Sequence, residues 1–409
     1  MIPKKSETPN PKILYVIGTL EVGGAETHLV RIALGLKARG WQPEFFVLQP
    51  GGPLTAPLRE AGIPIHGVDC KWCRKLPKGK TLSQLFLTMG ALILTMQRLR
   101  PVTCHFFLPM AYLFGGLASV FTFTRPRIMS RRSLNDYQRG HPIYAAIERW
   151  LHPKMDLVCG NSLAVVNQLG AEGVPPERER LIYNGIELST EVMPDHREET
   201  RAALGVPAGS LVLAIVANLI LYKGHTDLID ALALVANKMP SGWTLLCMGR
   251  DDGIGKDLRE RAAKAGIGEN IRWLGSRRDV PQILAASDIG LLTSHQEGFS
   301  NAVLESMAAG LPMVVTDVGG NAEAVVDGDT GRVVPPHDPQ ALAEAIWRVA
   351  TDPERRLMGE RGRDRVQRFF SLNACVDAYE ALYREVITPS LTASALSRKP
   401  TQRHSPVRR

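Results

Sequence analysis

The stretch His295–Gly320, HQEGFSNAVLESMAAGLPMVVTDVGG, sets two carboxylates, Glu297 and Glu305, on either side of a Gly-Phe-Ser-Asn turn with seven residues between them. The run before it, DIGLLTS, and the run inside it, PMVVTDV, are continuously apolar rather than alternating. Strands of that kind are covered on both faces, the habit of parallel sheets wrapped by helices. Between the two runs, NAVLESMAA reads as a helix that starts near Ser300 and ends at Gly310, with Pro312 just past it. In such a sheet the loop SHQEGFSN emerges beyond the carboxyl end of its strand, where ligands bind.

The same rhythm runs outward through the chain. KILYVIG, PEFFVL, VTCHFF, RPRIMS and DLVCGN read as strands in the first half, and LVLAIVAN, WTLLCMG, NIRWLG, DIGLLTS, PMVVTDV and GRVVP in the second. Longer helical patterns such as HTDLIDALALVANKM and DPQALAEAIWRVAT separate them. The expected fold class is α/β, with two doubly wound domains. A charged stretch with Pro and Gly, EVMPDHREETRAALGVPAGS, puts the boundary at about residue 190. The expected segments are therefore a first domain at 1–190, a second at 191–370, a C-terminal helix at 371–388 (LNACVDAYEALYREVI) and a basic tail at 389–409.

Composition narrows the function. With 44% hydrophobic and 22% charged residues, the 409-residue chain is globular and large enough for two cores. A net charge of +8 favours an anionic partner, but aromatic residues make up only 6% and no basic stripe with interleaved aromatics occurs, which argues against nucleic acid. ILYVIG is too short for a secretory core, so cytoplasmic residence is expected. Of six cysteines only Cys70 and Cys73 have CxxC spacing, and a structural zinc site would need a second pair. The segment Leu85–Met96 is too short to span a membrane, and Phe106–Thr124 is punctuated by Pro109, Gly115 and Gly116, so it reads as a strand end followed by a tightly packed helix. The run KWCRKLPKGK, residues 71–80, could hold the protein on anionic lipid or be a solvated loop.

At the opening stretch, the free N–H groups and dipole of the helix beginning near Ser300 suit a phosphate or diphosphate, and Gly298 allows close approach. Glu305 then lies roughly 7 Å along the helix axis, about a ribose away, and a carboxylate accepts two hydrogen bonds from a vicinal diol. Glu297, ahead of the helix, would reach the other side, where a transferred sugar would lie. Taken singly, Glu297 could simply end a loop and Glu305 could be a solvated helix residue.

The whole string closely resembles the E-x7-E region of glycosyltransferase family 4, and the resemblance covers nearly the whole chain. It implies the GT-B fold: two Rossmann-like doubly wound domains facing across a cleft, with the C-terminal helix crossing back to the N-terminal domain. It also implies retaining transfer from a nucleotide-sugar. GGAETHLVRIALGLKARGW is similar to the family's glycine-rich turn, which implies that Gly23 and Gly24 face the donor phosphates. LIYNGI resembles the end of the acceptor domain, LGSRRDV the segment whose backbone near Arg277 receives the base, and VANLILYKGHTDLIDAL the donor domain's first strand and loop. Lys223 occupies the family's lysine position, while Asn218 stands where members commonly carry arginine. Where many members place a histidine, this chain reads Ser130-Arg131-Arg132, so Arg131 and Arg132 are candidates for the donor or an anionic acceptor, or a solvated strand end.

The expected catalytic groups are thus Glu297 and Lys223; the expected donor-binding groups are Glu305, Asn218, Arg277, Gly23, Gly24 and the amides at Phe299, Ser300 and Asn301. Negative charge grows on the leaving diphosphate, and preorganised donors there contribute about 3 kcal/mol each. The scheme requires no metal and no cofactor beyond the nucleotide-sugar substrate, and Asp327-Gly328-Asp329 reads as a turn rather than a metal motif. The expected acceptor is a saccharide or lipid-linked saccharide of the cell surface, met at the cytoplasmic face of the inner membrane. A GT-B phosphorylase, a sugar-nucleotide epimerase and a catalytically silent scaffold are the alternatives.

Overall fold

The computed structural model describes residues 11–68, 80–188, 196–240 and 242–396, with side chains left aside at 80–82 and 388–396. The apolar runs become strands β1 (Lys12–Ile17), β2 (Gln42–Val47), β3 (Ile65–His66), β4 (Thr103–Phe107), β5 (Arg127–Arg131), β6 (Leu157–Gly160) and β7 (Glu179–Leu181) of one sheet. The second sheet contains β8 (Val212–Val216), β9 (Thr244–Met248), β10 (Ile271–Gly275), β11 (Ile289–Leu292), β12 (Met313–Thr316) and β13 (Gly331–Val334). The orders are β3-β2-β1-β4-β5-β6-β7 and β10-β9-β8-β11-β12-β13. The pairings β1–β2, β1–β4, β8–β9, β8–β11 and β11–β12 are all parallel. Strands β3 and β7 went unforeseen because each is two or three residues long and sits at a sheet edge, without the continuous apolar run of a central strand.

Double coverage of the second sheet is visible residue by residue. Leu213, Ile215, Leu245 and Cys247 face one core, together with Leu228 and Leu232 of the helix His225–Val235 and Ile346 of the helix Pro339–Thr351. Their neighbours Val212, Ala214, Leu246 and Met248 face another, with Ile283, Leu284 and Leu311. A period of two against two apolar faces is why these strands carry no polar alternation.

By packing, the described residues divide into one compact unit within 11–130, 146–158 and 376–396 and another within 131–145 and 159–375. These do not follow a single cut at residue 190. In the first unit, the helix Pro109–Phe121 follows β4 as the sequence suggests, and its glycines are there for packing. A Cβ on Gly115 would lie 2.3 Å from the Phe106 ring and one on Gly116 2.8 Å from Leu151. The C-terminal helix, Leu372–Leu396, extends past the expected 388, and Tyr383 is buried among Tyr15, His105 and Trp41. Tyr383 Oη lies 3.0 Å from Tyr15 Oη and 2.7 Å from His105 Nδ1. Burial raises the Tyr15 phenol well above its ordinary pKa. His105 also meets Ser130 Oγ at 2.8 Å, so it is a core residue.

Cys104, Cys159, Cys247 and Cys375 are free and buried, and burial pushes the Cys104 and Cys375 thiols up to about 12. Cys70, Cys73, residues 71–79 of the basic run, most of the expected linker (189–195) and the tail beyond 396 lie outside the described residues. Among the described residues, no helix is long and apolar enough to cross a membrane.

Candidate active site

Strand order in the second sheet reverses between β8 and β11. A crevice opens at such a switch point, beyond the carboxyl ends of the two strands. The loop after β8 carries Asn218 and Lys223; the loop after β11 carries Ser294, His295 and Glu297. Gly224 locks them together. Its φ is +67°, and a Cβ there would lie 1.9 Å from the Thr293 carbonyl oxygen, so only glycine fits. Thr293 Oγ1 donates toward the Lys223 and Gly224 carbonyls at 3.2 and 3.1 Å, and His295 N donates to Tyr222 O at 2.7 Å.

Held this way, Lys223 Nζ donates to Glu297 Oε1 at 2.6 Å, and Ser294 Oγ donates to the same oxygen at 2.7 Å. Both side chains of the ion pair are mostly buried, at 18% and 11% exposure. Asn218, Lys223, Gly249, Ser276 and Arg277 line one cavity of about 360 Å³. Asn218 is exposed, with its Oδ1 accepting from Arg250 N at 3.1 Å. Arg277 grips Asp279 through two hydrogen bonds of 2.8 and 2.6 Å, which hold the Asp279 carboxyl below the usual carboxylate range. A larger cavity, about 850 Å³, is lined by Ala285–Asp288 and Ala309–Pro312, at the amino ends of β11 and β12. Arg197 in its wall is spent on Asp288 and on the Ala285 and Ser287 carbonyls, so the switch-point cavity is the better candidate.

The turn at 298–301 is built by packing. A Cβ on Gly298 would meet Arg132 O at 2.4 Å and Asn161 Oδ1 at 3.1 Å, so this glycine admits protein backbone, not the ligand approach expected of it. Gly319 and Gly320 close the other side. A Cβ on the first would lie 2.0 Å from Glu297 O and one on the second 2.3 Å from the Phe299 ring, while Gly320 N donates to Gly298 O at 2.8 Å. The Phe299 ring is buried against Tyr183 and Phe370, leaving only its main chain for a ligand. Ser300 caps the helix Asn301–Ala308 in extended conformation, and its own side chain makes no cap bond to the first-turn N–H groups. Glu305 is half-buried, one turn into that helix.

Asn184, which sequence reasoning passed over inside LIYNGI, ties this turn together. Its Nδ2 donates to Phe299 O at 2.9 Å and Asn301 Oδ1 at 2.6 Å, and its Oδ1 accepts from Arg132 Nη2 at 2.5 Å. Arg132 therefore borders the turn. Arg131 does not: its side chain is 2% exposed and forms a two-pronged pair with Glu172 at 2.5 and 2.8 Å, which corrects its candidacy as a ligand-binding group. Adjacent residues at the end of β5 face opposite ways. Glu323 is another residue without a sequence signal; it accepts from the Leu163 and Ala164 amides at 2.8 and 3.3 Å. Burial and that carboxylate push the Tyr183 phenol up to about 12.

Gly23 and Gly24 belong to the first unit. Gly23, extended at φ −140°, precedes the helix Gly24–Ala38, and a Cβ on it would lie 2.3 Å from the Glu26 carboxylate. Asp327-Gly328-Asp329 is a turn, with Gly328 at φ +78°, Asp327 accepting from Val333 N at 3.0 Å and Asp329 paired with Arg361 at 2.7 Å.

Comparison with known proteins identifies the family. Residues 22–190 match the family model described as Glycosyltransferase Family 4, and residues 196–365 match Glycosyl transferases group 1. The chain is 33% identical to the D-inositol 3-phosphate glycosyltransferase of Corynebacterium urealyticum over 396 residues, covering 91% of this chain and 92% of that protein. With the enzyme of the same name from Saccharomonospora viridis it shares 28% identity, covering 90% and 91%. Among solved structures, Anabaena HepE in complex with UDP and glucose superposes with a TM-score of 0.77 at 24% identity, covering 94% of this chain and all of that one. WaaG, a glycosyltransferase involved in lipopolysaccharide biosynthesis, superposes at 0.69 and 19% identity, covering 91% and 99%. The likeness to these structures is one of fold, that of two Rossmann-like parallel-sheet domains. On the family matches and the full-length relative, the chain belongs to glycosyltransferase family 4.

Proposed function

We propose that the protein is a retaining glycosyltransferase that moves a hexose from a nucleotide-sugar to a saccharide or lipid-linked acceptor in cell-surface polysaccharide or glycolipid synthesis. The observation that carries this reading is the convergence of Asn218, Lys223 and Arg277 on one cavity at the switch point, with Glu297 bonded to Lys223. The main chain near Arg277 receives the base. Lys223 and the helix amino end at Phe299–Asn301 take the diphosphate, where charge grows as the anomeric C–O bond breaks. Glu305 clamps the ribose diol and Glu297 orients the sugar, and its bond to Lys223 preorganises both. Retention means that the acceptor hydroxyl attacks on the face the leaving group departs from. The chemistry needs no metal. HepE has been solved with UDP-glucose, which supports a nucleoside-diphosphate sugar as donor class here.

The test is transfer by the pure protein. A thermal-shift screen of uridine, guanosine and adenosine diphosphates and their sugars identifies the donor, and nucleoside diphosphate should then be released only when an acceptor is added. Release without acceptor, or no stabilisation by any nucleotide, would sink the reading. Glu305→Ala should weaken donor binding while leaving turnover at saturating donor near wild type.

A second observation supports a peripheral contact with a membrane surface. In the first unit, Phe86 is 71% exposed on the helix Lys80–Leu99, with Leu87 and Leu94, and Phe121 and Phe123 are 70% and 86% exposed at and after the end of the neighbouring helix Pro109–Phe121. Apolar groups exposed in number fit an interfacial contact. Co-sedimentation with anionic but not zwitterionic vesicles is expected; failure to sediment with either refutes the placement.

A further inference from the structure

We infer that Asp227, His295 and His337 form a binding site for a divalent transition-metal ion of the Zn²⁺ class, separate from the groups assigned to sugar transfer. Three elements far apart in sequence deliver them. Asp227 lies in the first turn of the helix His225–Val235, His295 follows β11, and His337 sits between β13 and the helix Pro339–Thr351. One ligating atom from each lies within 4.8 Å of the other two. Asp227 Oδ2 and His295 Nε2 are 2.8 Å apart, and the two imidazole centroids are 3.7 Å apart. Zinc bound at about 2.0–2.1 Å by nitrogen and oxygen sets tetrahedral ligand atoms roughly 3.3 Å from one another, so a slight opening of the Asp227–His295 pair and a small movement of the side chains toward a common centre close the site.

The donor set has the right chemistry. Two imidazoles and one carboxylate suit zinc or cobalt and are poor for magnesium or calcium, which prefer all-oxygen shells. Charge balances as well: the metal displaces the proton shared by Asp227 and His295 Nε2, both rings bind neutral, and water takes the fourth position on the exposed His337 side. The backbone supports this reading. His337 has φ +59°, a left-handed conformation that a β-carbon disfavours, and its ring lies tilted by 37° against that of His295. A plain hydrogen bond between His295 and Asp227 would not require it.

The site would also matter to its neighbours. His295 N is bonded to Tyr222 O, next to Lys223, and Glu297 lies two residues beyond His295. A bound ion would therefore staple together the two loops that meet at the switch point.

The test uses the full chain with Cys70→Ser and Cys73→Ser, so that the CxxC thiols do not compete; the four other cysteines are buried. Titration with Zn²⁺ and Co²⁺ near neutral pH should show saturation at one equivalent, a visible cobalt ligand-field band, and a rise in melting temperature with Zn²⁺. His337→Gly relieves the backbone, so the metal-free protein should melt at the same temperature or higher, while the dissociation constant rises by roughly tenfold or more and the cobalt band is lost. Asp227→Asn should weaken the metal similarly. Absence of saturable uptake at micromolar metal, or uptake that His337→Gly leaves unchanged, overturns the assignment.

Discussion

Lys223 and Arg131 are both cations bonded to a glutamate, yet replacing them should have opposite signatures. Lys223 lines the switch-point cavity, so Lys223→Ala should remove a preorganised donor to the leaving diphosphate and lower kcat/KM by about 10²–10³-fold, with a smaller loss of stability than at Arg131 because Ser294 Oγ still donates to Glu297 and that pair is less enclosed. Arg131 is enclosed with Glu172, and its removal strands a buried carboxylate. Arg131→Ala should therefore cost on the order of 3 kcal/mol of stability, read as a lower urea midpoint; a variant as stable as wild type with impaired transfer would restore it to the site. His225 offers a third residue-scale test. Its ring nitrogens are buried with no hydrogen-bond partner among the described residues, and burial, aided by Lys223, pushes its pKa down to about 4. The unfolded chain, titrating near 6.5, then binds more protons than the fold between those values. Stability is complete above about pH 6.5, declines as pH falls, and the loss levels off below about pH 4, amounting to on the order of 3 kcal/mol. In His225→Leu the decline between pH 7 and 5 should be shallower than in wild type; parallel curves would count against this account.

At the scale of elements, the turn between β11 and the helix Asn301–Ala308 is clamped from both sides by main chain: Arg132 O approaches Gly298, and Gly320 N bonds to Gly298 O. Gly298→Ala puts a methyl group against a carbonyl that Asn161 also contacts, so neither partner gives way cheaply. Overpacking of this kind costs about 1–3 kcal/mol, and the displaced turn should weaken donor binding too. Calorimetry on the variant checks the first expectation and nucleotide titration the second; wild-type values in both would show that the turn has room. The strand–loop–helix–strand reading of this stretch was legible in sequence because it rests on local periodicity and on glycine and proline punctuation. The use of Gly298 was not, because what a missing Cβ admits depends on Arg132, 166 positions away.

Across the whole molecule, the proposed membrane contact would draw long-range attraction from the +8 charge and an apolar foothold from Phe86, Phe121 and Phe123, which are exposed in one unit. Binding to anionic vesicles should weaken as salt shortens the Debye length, and Phe86→Glu with Phe123→Ser should reduce it even at low salt; retention by that double variant would put the contact elsewhere. The sequence by itself determined the α/β class, the central strands and the region of the candidate donor site, because double burial and helical periodicity are written in consecutive residues. Only the tertiary structure decided which of Arg131 and Arg132 turns inward, that Asn184 braces the turn at Phe299, and that Asp227, His295 and His337 converge. Those choices depend on strand pleat and on distances between residues far apart in the chain, and no local pattern encodes them.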